Sequence, residues 1–223
     1  LMVRGRMPLT RWRYRTVILA LTLVVLAFGH QIYAADVVSI GIVLNEVMRD
    51  VGAPLALGGL IATLYGLGQV IGSNPAGWML RHRGLKFTFS FGIGIFSLFT
   101  FLTGLAKTYW DASIYRIAFG FGQSVWNVAY FSTIGTLFAE RRGLANATLG
   151  LMYPIGVLWG APATALIFVW LGDWRTPFYA LGILGFLISA VIILAIKSAT
   201  LKGSRLRDAT SVKSRETYLS VLK

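Results

Sequence analysis

Long apolar runs alternate with short polar breaks along this chain. The stretch GSNPAGWMLRHRGLKFTF, Gly72 to Phe89, shows the pattern clearly. Apolar and small residues run to Leu80, then come Arg81, His82, Arg83, Gly84 and Lys86, and the apolar texture resumes. A helical membrane span needs about 20 mostly apolar residues. Six segments meet that length, roughly Thr16–Val43, Leu57–Leu80, Phe87–Ala106, Ala112–Phe138, Leu144–Leu171 and Thr176–Ile196. The strict alternation over about ten residues that marks a membrane barrel strand is absent. Backbone polar groups in lipid must be satisfied internally, so the expected elements are helices. The RHRG break reads as a short turn between the second and third spans, with Gly84 allowing a tight connection.

Composition agrees with a membrane protein. Of 223 residues, 56% are hydrophobic and 13% charged, with a mean hydropathy of +0.70. A soluble domain carries about 25% charged residues. The net charge of +13 would point to nucleic acid on a soluble protein. Here its distribution decides otherwise. Arg4, Arg6, Arg11, Arg13 and Arg15 precede the first span. Arg81, Arg83 and Lys86 mark the RHRG turn, Arg141 and Arg142 the turn before the fifth span, and the chain from Lys197 onward is basic. All of these fall on one side of a six-span arrangement. Arg49, Lys107 and Arg175 fall on the other, and Arg116 lies inside a span. This is the positive-inside bias. It predicts cytoplasmic termini, a bacterial inner membrane as the location, the lipid bilayer as partner and no nucleic-acid partner.

The first apolar run is read as an uncleaved helix and not a signal peptide, because its texture continues through Val37, Val38, Ile40 and Ile42 and five spans follow. The chain has no cysteine, so thiol and disulfide chemistry is excluded. His30 and His82 lie on different segments, which argues against a metal site, and no cofactor is implied. Three regions result: a basic cytoplasmic N-terminus over 1–15, a six-span membrane domain over 16–196, and a polar tail over 197–223. The second and fifth spans share a pattern, Gly66, Gly68 and Gly72 with Pro75 against Gly150, Gly156 and Gly160 with Pro162. Such a pattern fits a 3+3 repeat. It equally fits small residues that let membrane helices pack closely.

Five motifs, in order, resemble those of the major facilitator superfamily. Gly77, Arg81, His82, Gly84, Leu85 and Lys86 are similar to the family's loop between helices two and three, with Arg81 at its acidic position and Leu85 in place of a basic residue. YRIAFGFGQ, Tyr115–Gln123, resembles the fourth-helix motif. AERRGLANA, Ala139–Ala147, is like the basic loop before helix five. GVLWGAP, Gly156–Pro162, is like the helix-five Gly-Pro motif, and GDWRTPFYALG, Gly172–Gly182, the turn into helix six. The resemblance covers the N-terminal six-helix half, in the branch of metabolite and organic-anion symporters. It implies an all-α membrane protein, one half of a major-facilitator fold, and a secondary transporter of a small organic solute that works by alternating access. The partner would be a C-terminal half, or a second copy if six spans are the whole protein. A gate built from Gly77, Arg81, Gly84, Lys86 and Arg142 is implied as well. Arg81 would repel Arg142 there, which weakens that latch.

Ionisable groups at membrane depth are functional suspects. Asp36 falls late in the first span and Arg116 near the outer end of the fourth, on helices that neighbour in this fold. They are expected to pair and to carry proton coupling, with a purely structural ion pair as the alternative. Arg116, Gly120, Gln123 and Asn127 are spaced along one helix face. His30, Gln31 and Tyr33 on the first span, and Tyr65 and Gln69 on the second, are further candidates, with Tyr153 and Trp159 as aromatic walls; interhelical packing is the alternative for each and the favoured reading for the aromatics. An arginine with amides and tyrosines suits a carboxylated solute. Trp110 and Trp174 read as interfacial anchors. Two rival classes fit less well. An intramembrane protease would need paired aspartates within the spans, where Asp36 is the sole predicted carboxylate, or a Gly-x-Ser-x-Gly nucleophile, which the sequence lacks. A non-transporting six-span scaffold, or a fragment without activity of its own, is the other, and solute uptake that depends on Asp36 would discriminate a transporter from it.

Overall fold

The computed structural model describes residues 9–137, positions 143, 146 and 147, and residues 150–195. Every regular element among them is helical. Helix α1 spans Leu9–Ile42, α2 Leu44–Asp50, α3 Gly58–Gly104, α4 Tyr109–Leu137, α5 Met152–Leu171 and α6 Thr176–Ala195. A single 3-10 turn, Leu55–Leu57, leads into α3. The tail over 197–223, residues 1–8 and Arg142 lie outside the described residues.

The turn expected at RHRG is a one-residue kink. Helix α3 runs through Arg81, His82 and Arg83 and breaks helical geometry only at Gly84, where φ is +81° and ψ 173°. The basic residues keep their backbone hydrogen bonds by staying helical, and Gly84 alone takes a conformation that a Cβ would strain. Gly77 is mid-helix, with open space where a side chain would stand. At about 1.5 Å per residue the 47 residues of α3 would measure about 70 Å if straight, more than twice the roughly 30 Å hydrocarbon core. The kink therefore divides it into two arms.

Three described segments are long and apolar enough to cross a membrane: Leu55–Gly104, Met152–Leu171 and Thr176–Leu194. A fourth, Leu26–Ile42 with Leu44–Asp50, passes as a pair bent by 65°. Six such segments were expected. The shortfall has physical causes. Two expected spans are the arms of one bent helix, and α4 carries Arg116, Gln123 and Asn127 on an inward face that lowers its hydropathy.

Backbone contacts fix the packing. Gly68 meets Ile117 and Phe121, and Gly72 meets Phe121 and Ser124, so the first arm of α3 runs parallel to α4. Gly92 meets Trp126 while Phe99 meets Tyr115, so the second arm runs antiparallel along the other flank of α4. Gly156 meets Gln31 and Ala34, and Gly160 meets Ala35, which sets α5 parallel to α1. Gly182 against Phe101 and Gly104 against Tyr179 set α6 antiparallel to the second arm. The core between them is aromatic, with Phe89, Phe96, Phe119, Trp126 and Tyr130 almost fully buried.

The end of the bundle opposite the α3 kink is tied by hydrogen bonds. Thr108 and Asp111 cap α4 reciprocally: the Asp111 carboxylate accepts from the Thr108 and Lys107 backbone N–H groups at 2.9 and 3.2 Å, and the Asp111 N–H donates to Thr108 Oγ1 at 3.2 Å. These bonds hold the Asp111 carboxyl below its usual pKa. Arg175 pairs with Asp50 and donates to the Gly104 and Ala106 carbonyls at 2.8 Å each. Trp174 donates to Asp50 at 3.2 Å and is 6% exposed. It is therefore a buried strut and not the interfacial anchor expected from sequence, whereas Trp110 is 73% exposed.

A Cβ at Gly68 would lie 1.9 Å from the Ile117 carbonyl oxygen, while one at Gly66 would meet nothing within 4 Å. Gly68→Ala is expected to destabilise by about 1–3 kcal/mol or more and Gly66→Ala to leave stability unchanged. Thermal unfolding of the detergent-solubilised protein compares them directly; equal midpoints would refute the close approach of α3 and α4.

Candidate functional site

Asp36 and Arg116 form an ion pair in the interior. Arg116 Nη1 donates to Asp36 Oδ2 at 2.5 Å, and Nη2 reaches the Asp36 carbonyl oxygen at 3.4 Å. Both residues are at most 2% exposed. Two rings and a hydroxyl flank the pair. The guanidinium carbon lies 5.0 Å from the Phe119 ring and 5.9 Å from the Phe178 ring, and the Thr100 hydroxyl faces the carboxylate. Asp36 Oδ1 has no hydrogen-bond partner among the described residues. A cavity of about 40 Å³, lined by Val37, Ile40, Ile61, Tyr65, Arg116 and Phe119, adjoins the guanidinium. Its lining is mostly apolar, and it is far too small for an organic solute.

The α4 stripe is brought inward as its spacing predicts. Gln123 is 1% exposed and accepts from Gln69 Nε2 at 2.6 Å, which joins α4 to the first arm of α3. Tyr33 faces the same Gln123 amide from α1. Asn127 is half-buried, and its Oδ1 has no partner among the described residues. Gln31 accepts from Trp159 Nε1 at 3.1 Å and approaches Met152 Sδ at 3.5 Å, so it binds α1 to α5. The small-residue seam beside it also carries a hydroxyl contact, Ser39 to Thr164 at 2.6 Å.

His30 sits six residues before Asp36 on α1, about 9 Å along the helix. It is 5% exposed. Its ring stacks on Tyr130 at 4.5 Å and 6°, meets Tyr33 edge-on at 4.7 Å and has Tyr153 at 6.2 Å. The site is thus graded: a charged end at Asp36 and Arg116, an amide middle at Gln69 and Gln123, and an aromatic end at His30. Tyr130 was missed from sequence, although it stands three residues beyond Asn127 on the same face. Thr100 and the Asp50–Arg175 tie gave no local signal, since each depends on helices brought together from distant sequence. Of the expected gate, Arg81 is exposed, Lys86 is half-buried beyond the kink, and Gly77 and Gly84 make no contact with the ion pair.

Residues 10–222 match the family model of the Major Facilitator Superfamily. The chain belongs to this superfamily. Its relatives are transporters and not enzymes, and it is an integral membrane protein. It is 28% identical over 153 residues to a putative metabolite transport protein of Haemophilus influenzae, covering 68% of this chain and 37% of that protein. It is 25% identical over 194 residues to a probable galactarate/D-glucarate transporter of Escherichia coli K12, covering 83% of this chain and 42% of the other. A probable L-galactonate transporter of the same organism is 23% identical over 168 residues, covering 75% and 37%. The fold is similar to that of a bacterial homologue of the human lysosomal transporter Spinster, inward-facing and unoccupied, with TM-score 0.65 and 20% identity over 82% of this chain and 43% of that one. The chain spans about two fifths of the length of the relatives it matches.

Breaking a buried ion pair from one side leaves an uncompensated charge, which costs about 3–5 kcal/mol, while replacing both partners by apolar residues is often near neutral. Asp36→Leu is therefore expected to destabilise the protein strongly, and Asp36→Leu combined with Arg116→Met to recover most of the loss. Thermal unfolding of the single and double variants measures this, and strictly additive losses would show that the two side chains do not interact.

Proposed function

We propose that this chain is the N-terminal half of a secondary transporter that takes up a small hydroxylated organic acid with a proton by alternating access. The observation that carries the reading is the Asp36–Arg116 pair, buried in the interior beside a small cavity at the guanidinium. With Asp36 ionised, Arg116 is neutralised and has no spare charge for a solute. Once Asp36 takes up a proton, the guanidinium is released to bind a carboxylate. Proton and anion then load together, and release of the proton restores the pair and expels the anion. The names of the relatives support sugar acids as the class of solute.

The remaining parts of the proposal concern architecture. Six spans in a 3+3 repeat are supported by contacts that recur. Gly68 and Gly72 seat on α4 as Gly156 and Gly160 seat on α1, and Gly94 meets Ser189 where Gly182 meets Phe101. Both Gly84 and Gly172 have positive φ and close the second helix of each triplet. These four glycine pairs share one sequence spacing. The charge bias supports cytoplasmic termini in a bacterial inner membrane. The exposed apolar faces of α5, with Leu158 at 76% and Val169 at 73%, have lipid or a second six-helix half to cover them.

The test is uptake of L-galactonate and galactarate by cells that express the complete reading frame. Uptake is expected to rise as external pH falls and to accumulate solute uphill. Asp36→Asn is expected to abolish accumulation while exchange of internal for external solute persists. Accumulation that survives in Asp36→Asn would remove Asp36 from coupling, and no uptake of either acid by the unaltered protein would remove the sugar-acid class.

A further inference from the structure

The aromatic end of the site has an unexplained polar atom. His30 is 5% exposed, yet its Nδ1 has no hydrogen-bond partner among the described residues. Leaving such an atom unmatched costs about 1–3 kcal/mol, so it calls for a function. Its neighbours are rings from three helices: Tyr33 on α1, Tyr130 on α4 and Tyr153 on α5. Tyr33 and Tyr153 also contact each other, with centroids 5.4 Å apart. The rings fix the imidazole plane, and Tyr153 is half-buried where His30 and Tyr33 are buried. None of these groups carries a positive charge to balance an acid.

We propose that His30, with Tyr33 and Tyr153, forms a second subsite that hydrogen-bonds the uncharged, hydroxyl-bearing end of a solute whose carboxylate is held at Arg116. This rests on the transport reading above and deepens it. Imidazole Nδ1 donates or accepts a hydrogen bond according to tautomer, and phenol hydroxyls do both. The subsite therefore suits an alcohol, which also does both. The aromatic faces cover the carbon–hydrogen surface of such a chain. A second carboxylate at this end would lose its hydration with no cation from this half to replace it, which is costly. The half described here thus selects a monocarboxylic hydroxy acid over a dicarboxylic one, although relatives of both kinds are similar in sequence.

The test separates the ring from its nitrogen. His30→Phe keeps a ring to stack on Tyr130 and removes Nδ1, whereas His30→Asn removes the ring and keeps a hydrogen-bonding group near the Nδ1 position. Both are made in the complete transporter, and KM and maximal rate are measured for L-galactonate and galactarate. The unaltered protein is expected to take L-galactonate with the lower KM. His30→Phe is expected to raise that KM about three- to tenfold, the worth of one hydrogen bond, and His30→Asn to raise it less. The reverse order, with His30→Phe unaffected and His30→Asn impaired, would assign His30 to packing and overturn the subsite. A lower KM for galactarate in the unaltered protein would overturn the selectivity. An Asp36-dependent uptake that persists through either result leaves the transport reading standing, while absence of uptake of both acids removes the sugar-acid class and this subsite with it.

Discussion

Helix backbones in this protein come closer than any side chain would permit, and the site follows from that. Apolar side chains gain nothing by leaving lipid for one another, so membrane helices associate by close packing and by polar contacts. At Gly120 a Cβ would lie 2.0 Å from the Tyr65 carbonyl oxygen, and at Gly68 the equivalent clash is with Ile117. These contacts leave one register between the first arm of α3 and α4. Gln69 then falls opposite Gln123, and their hydrogen bond follows from the glycine contact. Gly156 and Gly160 act likewise on α1, where Gln31 and Ala35 lie beneath them. The registers that the glycines fix are those at which Asp36 and Arg116 meet.

Charge arranges the second level. A buried ion pair adds little net stability, because desolvation offsets most of the attraction. What it contributes here is orientation. Arg116 must turn toward Asp36, so its helix face, with Gln123 and Asn127, turns inward too. A polar face is thereby enclosed: α4 lies between both arms of α3, while the more apolar α5 and α6 keep broad exposed faces. Hydropathy along the chain and burial in the fold therefore run in opposite directions, as a bilayer solvent requires.

This inversion explains what could be read from sequence. The inward stripe of α4 was legible, because polar residues at helical spacing in an apolar run have only one tolerable direction. The ion pair was legible as two costly charges at similar depth. The α3 kink was half legible: Gly84 marked the place, but basic residues around it suggested a loop where the helix continues. Trp174 was misread, since a tryptophan at a span end looks the same in sequence whether it faces headgroups or Asp50. The bend at Val43 into α2 had no signal, because the apolar texture runs across it. Tyr130 lay one turn past the last polar residue considered. For Trp174 and Tyr130 the deciding partner, Asp50 and His30, came from a helix distant in sequence.

The recurring glycine contacts carry one more consequence. Arg116 directly precedes Ile117, the residue beneath Gly68, and His30 directly precedes Gln31, the residue beneath Gly156. In the proposed repeat the two side chains therefore occupy equivalent backbone positions, one near each end of the site. The backbone frame repeats and the chemistry does not. Arg116 has an acid to neutralise it, and His30 has rings and an unmatched nitrogen. A solute with two identical ends would meet two unlike partners, and a solute with one charged end would fit in a single direction. Asymmetric recognition within a near-symmetric helix frame thus needs no special backbone feature; it follows from which side chain each triplet places next to its glycine contact.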